Sequence, residues 1–263
     1  MLLASMIGRM YTWYEWNRWS EVREAAYNIL QLAEQYHQDE QWLLDALETL
    51  ADIAYRTGDK EESDSLLRQY KRLSEQRGFH PELSRSIHLA REDWARACTD
   101  FKAALEQSEP FPSPAVVAFL AELYVITGES TEAQQAMCER AIAVAKQSRA
   151  RKYLAVALRA RGRMYLEQLN WEAAESDLRD ALAQCELLDI PWEQGQTLYC
   201  LGLLYRRHAD VVNRDDSTAR AADLGRAHFN FEQARGFFES LKAVHDAERA
   251  RLAALTLDSK APV

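Results

Sequence analysis

From Arg149 to Leu166 the chain reads RARKYLAVALRARGRMYL, six basic residues without one acid. On a helix Arg149, Lys152, Arg159 and Arg163 share one stripe. Guanidinium groups aligned in this way can make paired, charge-assisted hydrogen bonds to a carboxylate or phosphate. Arg159 and Arg163 are like charges four residues apart, which costs roughly a few tenths of a kcal/mol unless something neutralises them. Two readings stand. Neighbouring helices, Glu167 among their residues, supply the balancing carboxylates and leave a solvated face; or the stripe receives an acidic peptide, a carboxylate terminus or a phosphate-bearing ligand.

Other residues capable of chemistry are sparse. His88 and Glu92 lie four apart, a spacing that on a helix could hold a metal or couple an acid to a base, but no third ligand recurs nearby and a surface pair is the plainer reading. His208, Asp210, Asp215 and Asp216 gather in HADVVNRDD at irregular offsets that suit solvated loop carboxylates better than a cation shell. The chain has no Gly-rich phosphate loop, His-Glu-x-x-His, Gly-x-Ser-x-Gly or EF-hand spacing. Cys98, Cys138, Cys185 and Cys200 have no short paired spacing and read as small core residues. No catalytic residue, metal site or cofactor is expected.

The elements that position the basic stripe follow from composition and periodicity. Hydrophobic residues at 48% and charged ones at 28% describe an ordinary globular chain, and only nine glycines and six prolines among 263 residues leave little turn chemistry. With Ala, Leu, Glu, Arg and Gln dominant, an all-helical protein is expected. A formal charge of -9 gives no global attraction to nucleic acid or to an anionic membrane. The first residues, MLLASMIGRMYTWYEW, hold too short an apolar run for a membrane span and lack the basic start and cleavage site of a secretory signal, so cytoplasm is the expected location. An amphipathic start of this kind also suits a piece of a longer chain.

Three segments repeat one arrangement. Trp19, Trp94 and Trp171 are followed at +3 by Val22, Ala97 and Ala174 and at +11 by Leu30, Leu105 and Leu182, all on one helical stripe. Each stretch is a helix that opens on an aromatic side chain and narrows where a partner helix approaches. The partners lie upstream. Leu47, Leu50, Ala51 and Ala54 precede a turn at TGD 57–59, and Val117, Leu120, Ala121 and Tyr124 precede a turn at TGES 127–130. Gly58 and Gly128 supply the left-handed conformation that ends a helix, and the Asp or Ser beyond can cap the next. Leu158, Gly162 and Tyr165 pair with Ala174, Leu178 and Ala181; Leu198, Leu201, Gly202 and Tyr205 pair with Ala227, Phe231 and Ala234. The chain is therefore a series of helical hairpins, none able to bury its apolar face alone.

These residues resemble the tetratricopeptide repeat, with Gly162, Tyr165, Ala174, Leu178 and Ala181 in its register, as are Leu198, Leu201, Gly202 and Tyr205, and Ala97, Phe101 and Ala104. Repeats begin near residues 3, 44, 78, 114, 155 and 195. The resemblance implies an all-α, right-handed superhelical solenoid of about six hairpins plus a carboxyl-terminal capping helix. Repeats 1–3 occupy 1–107, a proline-rich connection 108–113, and repeats 4–6 occupy 114–242 with a loop inserted at about 206–225. The capping helix and a frayed tail occupy 243–263, all in one continuous solenoid. The proline-rich SEPFPSP, 108–114, is a hinge or only a longer turn. The late insertion and the sequence after it are similar to the carboxyl-terminal arrays of bacterial signal-transduction ATPases and of maltose-activator-type transcriptional regulators.

In such arrays the concave groove is lined by set positions of each first helix. Here these imply Arg159 and Arg163, Tyr199, and Arg206 and Arg207 at a basic end, with Asp45, Glu48 and Asp52 and then Tyr55 at an acidic one. The lysine and asparagine set by which chaperone-binding members clamp a terminal carboxylate is absent. The expected function is a non-enzymatic scaffold whose groove binds a protein or peptide segment, with neither nucleic acid nor membrane as a direct partner. The alternative is a sensor or regulatory arm of a signal-transduction ATPase or transcription factor.

Overall fold

The structure is a computed structural model of the chain and describes residues 2–36, 40–76 and 85–258. Among these residues it is all helical, with thirteen helices and no strand. Contacts divide it into two compact units, Met1–Asp93 with Leu241–His245, and Trp94–Ser240 with Asp246–Val263.

In the first unit α1 (Leu2–Glu15), α2 (Trp19–Tyr36), α3 (Glu40–Arg56) and α4 (Lys60–Gln76) each pack on the next, and the short α5 (Arg85–Ala90) packs on α3. Its centre is fully buried Met10, Val22, Ala26, Ile29, Leu47, Leu50 and Ile53. The second unit contains α6 (Trp94–Ser108), α7 (Pro114–Thr127), α8 (Thr131–Gln147), α9 (Arg151–Glu167), α10 (Trp171–Leu188), α11 (Pro191–Val211), α12 (Ser217–Ser240) and most of α13 (Val244–Asp258). Here α7 packs on α8, α9 on α10 and α11 on α12; the first helices α7, α9 and α11 also touch in series. Pairs of successive helices, α1 with α2 and α3 with α4 in the first unit and α7 with α8, α9 with α10 and α11 with α12 in the second, follow the expected hairpin plan. The expected start of repeat 3 near 78 and the end of the tail lie outside the described residues.

The scarcity of glycine is met by an unusual set of turns. Asn17, Gly58, Glu92, Gly128, Leu169 and Lys242 all have positive φ between paired or successive helices, and only two of them are glycine. A cap then follows: Asp59 accepts from the Glu62 N–H at 2.9 Å, and Ser130 from Ala133 at 3.3 Å. Glycine is instead used where helices meet. A Cβ on Gly202 would stand 2.5 Å from Phe231, and one on Gly195 2.6 Å from Phe238. The two contacts sit two turns apart along antiparallel α11 and α12, so they set the register of that hairpin. Gly162 likewise admits Leu178, 2.8 Å from where its Cβ would be.

Several expectations are corrected. The proline-rich stretch shortens to the five residues 109–113, because Pro114 already opens α7; α6 packs directly on α7, with the Phe101 and Phe119 rings 5.8 Å apart. Most of 206–225 is helix, leaving only 212–216 between α11 and α12. Asp216 caps α12 by accepting from Thr218 and Ala219 at 3.0 and 2.9 Å, and Asp223 ties the helices by bonding His208 and Asn213, both at 2.6 Å. Arg220 reaches Asp210 at 3.3 Å. Arg149 has φ 56° and lies before α9, so it leaves the basic stripe. Glu92, at φ 56°, lies past the end of α5, so His88 and Glu92 do not share a helix. Of the three tryptophans only Trp19 is enclosed, at 6% exposure; Trp94 and Trp171 are half-buried, the latter edge-on to His208 at 5.2 Å.

Gly202→Ala is expected to lower the urea midpoint, because Phe231 is fully enclosed and overpacking costs about 1–3 kcal/mol. Gly236→Ala in α12, with nothing near its Cβ position, should raise the midpoint by reducing backbone freedom, about 0.5–1 kcal/mol. Trp19→Ala should cost about 3–5 kcal/mol and Trp171→Ala distinctly less; thermal melts of the two variants check the order.

Candidate functional site

The three arginines in the second half of α9 meet three fates. Arg161 turns toward α10 and makes a two-pronged pair with Asp177, at 2.7 and 2.8 Å, that fastens the hairpin. Arg159 points into the unit and is 1% exposed. Its Nε and Nη2 donate to the two carboxylate oxygens of Glu122 on α7, at 2.9 and 3.1 Å, and its Nη1 donates to Glu193 on α11 at 2.6 Å. One guanidinium thus joins three successive first helices. Arg163, one turn further, is half-buried and makes no hydrogen bond or ion pair with a described residue.

Burial pushes the Glu122 carboxyl up, but Arg159, with help from Arg163 and Arg249, more than reverses this and holds it below the usual glutamate value. Arg159 is raised well above its ordinary value, because the two carboxylates outweigh its burial. The expectation that Arg159 lines an open groove is therefore replaced: its charge is balanced beneath the face, by Glu122 and Glu193. Glu167, the acid foreseen for this role, instead pairs with Arg207 at 3.0 Å.

Around Tyr199 on α11 the arrangement differs. Its ring meets Phe231 at 5.4 Å, and the Arg249 guanidinium of α13 lies over it at 4.9 Å. Burial raises the Tyr199 pKa, while the charges of Arg249, Arg206 and Arg163 act against that rise. Arg249 also bonds Asp246 at 2.6 Å and Gln196 at 3.0 Å, and Asp246 accepts from the Trp192 indole at 3.2 Å, which fixes α13 on α11. Arg206, half-buried, has no hydrogen bond or ion pair with a described residue, and neither has the Tyr199 hydroxyl. The charges of Arg163 on α9 and Arg206 on α11 both act on Tyr199.

The acidic set of the first unit is less available. Asp52 is fully buried, accepting from the Tyr14 hydroxyl at 2.5 Å and from Arg56 Nε at 3.1 Å, so the expectation of Asp52 as a lining residue gives way to a structural tie between α1 and α3. Tyr55 is covered by the His245 ring at 5.4 Å and the Arg91 guanidinium at 5.3 Å. Asp45 and Glu48 are half-buried, and Asp45 accepts from Gln41 at 3.0 Å. The structure brings Arg163, Tyr199 and Arg206 together and places Arg207 in a pair at the edge.

Glu122, Glu193 and Arg249 were not singled out from sequence. Glu122 occupies in repeat 4 the position that Arg163 occupies in repeat 5, so the same register would have found it. Glu193 precedes the counted start of repeat 6, and the capping helix had no register to count from. His208, Asp210 and Asp216 are bonded within the α11–α12 hairpin, and no cluster of three or more His, Cys, Asp or Glu among the described residues could hold a metal. The four cysteines are buried, and burial pushes the thiols of Cys138 and Cys185 up to about 12.

No family model matches the chain, and no curated protein sequence matches it. Solved structures do. A Rap protein complexed with Competence and Sporulation Factor superposes with a TM-score of 0.68 at 13% identity, over 98% of this chain and 71% of the other. The apo form of RapI gives 0.56 at 11% identity, over 99% and 72%. The fold is a tetratricopeptide-like helical repeat. At such low identity the likeness extends to the path of the helices and to nothing finer.

Arg159→Met should cost about 3–5 kcal/mol, because it leaves two buried carboxylates without a counter-charge. In the wild type, Glu122 stabilises above its unfolded value, near pH ~4.3, and that contribution is lost as pH falls through its depressed folded value. In Arg159→Met the main force lowering Glu122 is gone and burial, which raises it, is opposed only by the weaker charges of Arg163 and Arg249, so the deficit should be smaller in acid than at neutrality. Urea denaturation at a series of pH values checks this reversal, and Glu122→Gln should flatten the wild-type acid limb.

Proposed function

We propose that the second unit binds a peptide or protein segment across the face formed by α9, α11 and α13, and that this segment is acidic where it meets Arg163, Arg206 and Tyr199. One observation carries the reading: two half-buried guanidiniums and a tyrosine hydroxyl share a face and have no described partner. Keeping such charges partly out of water without pairing is unfavourable, and an incoming carboxylate relieves the cost through charge-assisted hydrogen bonds. Beneath them, the bonded Arg159 cluster keeps the donors from rearranging, which lowers the ordering cost of binding.

Supporting this, the similar Rap structure was solved with Competence and Sporulation Factor bound, so the same helical fold serves elsewhere to hold a partner. Asp45 and Glu48 belong to the proposal as a weaker contact, suited to basic side chains, within the first unit. The molecule's role would be recognition without catalysis. Four unpaired cysteines suit a reducing compartment such as the cytoplasm, and no described helix is long and apolar enough to cross a membrane. The alternative, a regulatory arm of a signal-transduction ATPase or maltose-activator-type regulator, draws no support from the geometry of either unit.

Binding to an immobilised peptide panel graded from basic to acidic tests the reading. Acidic members should be retained selectively and released by salt. Arg163→Glu with Arg206→Glu should keep the melting temperature and weaken retention at least about tenfold, the effect of losing one charge-assisted hydrogen bond of about 1.5–3 kcal/mol. Equal retention of all members, or unchanged retention by the double variant, would remove this face from the site.

A further inference from the structure

A second feature lies away from that face. Between α10 and α12, with α11 as floor, is an open cleft of about 720 Å³. Helix α12 is apolar on two sides. Ala227, Phe231, Ala234 and Phe238 are fully buried against α11. Ala222, Phe229 and Phe237 line the cleft with Leu182 of α10 and Leu198 and Leu201 of α11, and Phe229 is 62% exposed. Gly225, also on this wall, has open space where a Cβ would stand, so another backbone can approach closely.

The chemistry of the lining identifies the form of the occupant. The buried polar groups are already engaged: Gln194 donates to the Cys185 carbonyl at 3.1 Å, Asn230 to that of Arg226 at 2.8 Å, and the Tyr205 hydroxyl to Glu175 at 2.7 Å. The walls are helices whose backbone groups bond internally. An extended segment would find almost nothing to satisfy its own N–H and C=O groups, whereas a helix brings them already bonded. From Gly225 to Phe237 the wall runs about 18 Å at 1.5 Å per residue, the length of some three helical turns.

Charge sets the direction. At the end where α11 finishes, Arg179 and Arg226, each 63% exposed, overhang the cleft, while their carboxylate partners Glu175 and Asp223 lie lower, at 35% and 6%. At the other end stands Glu186 in the last turn of α10, with no ion pair to a described residue. A guest helix running antiparallel to α10 and α12 would place its negative end by the arginines and its positive end by Glu186. We propose that this cleft docks a three-turn amphipathic helix of a partner protein, its leucine-type stripe on Phe229, Leu198 and Leu201, its last turn acidic and its first turn basic.

The probe is a synthetic helical peptide with a leucine stripe, lysines in the first turn and glutamates in the last, compared by fluorescence anisotropy with a peptide of identical composition and exchanged ends. The first should bind about tenfold tighter, the sum of a few rim ion pairs. Phe229→Glu and Gly225→Trp, both at open positions, should abolish its binding with unchanged melting temperatures, and Arg163→Glu with Arg206→Glu should leave it intact. Equal affinity for the two peptides, no binding of either, or indifference to Phe229→Glu overturns the proposal. So does a wild-type dimer in sedimentation that Phe229→Glu dissolves, since the occupant is then a second copy of the chain.

Discussion

One buried guanidinium governs the second unit. Arg159 cannot lie at 1% exposure as a lone charge, because desolvating it costs several kcal/mol; Glu122 and Glu193 make its position tenable by closing on it from α7 and α11. The three side chains come from three helices, and each bond holds only if the helices keep their rotation and height. Apolar packing tolerates small slips at modest cost. A two-pronged carboxylate does not, since an ångström of slip loses both bonds.

That constraint also fixes the helix that carries the neighbouring cation. Arg163 lies one turn from Arg159 on a helix that cannot rotate, and the like-charge repulsion between them is offset by two acids below. Tyr199 is fixed in turn by Phe231 and Arg249, and Phe231 keeps its place because Gly202 has no Cβ. A chain of contacts thus runs from glycine packing, through an aromatic ring, to the orientation of a hydroxyl. The half-buried Tyr199 is thus oriented by groups that are themselves engaged.

In each unit a residue expected to face a guest is used internally instead. Asp52 in α3 and Arg159 in α9 both fall where a repeat array shows side chains to a guest, and both turn inward onto partners. Each found an opposite charge or a hydroxyl on the adjacent helix, so facing solvent gave no advantage. Arg163 and Arg206 are left without an ion pair to a described residue, although the charge of Arg163 still acts on Glu122 of the adjacent α7.

Local signals in the chain were sufficient for the helices, because their causes lie within a few residues. Periodic apolar stripes, Gly58 and Gly128 at left-handed turns, and Asp59 and Ser130 as caps could all be read directly, and so could the small residues at helix crossings. The loop expected at 206–225 was misread because the signals that make it helix are Asp216 as a cap and Asp223 bonding back across the hairpin, the second a contact 15 residues distant. The candidate site was legible only as a list of cations on one stripe. Which of them were spent depended on carboxylates 34 and 37 residues away from Arg159, and no periodicity specifies that height. Sequence alone settled the helical hairpins, since helix, cap and turn are short-range physics; tertiary packing decided which charges meet each other and which do not, since ion pairing depends on distance through space.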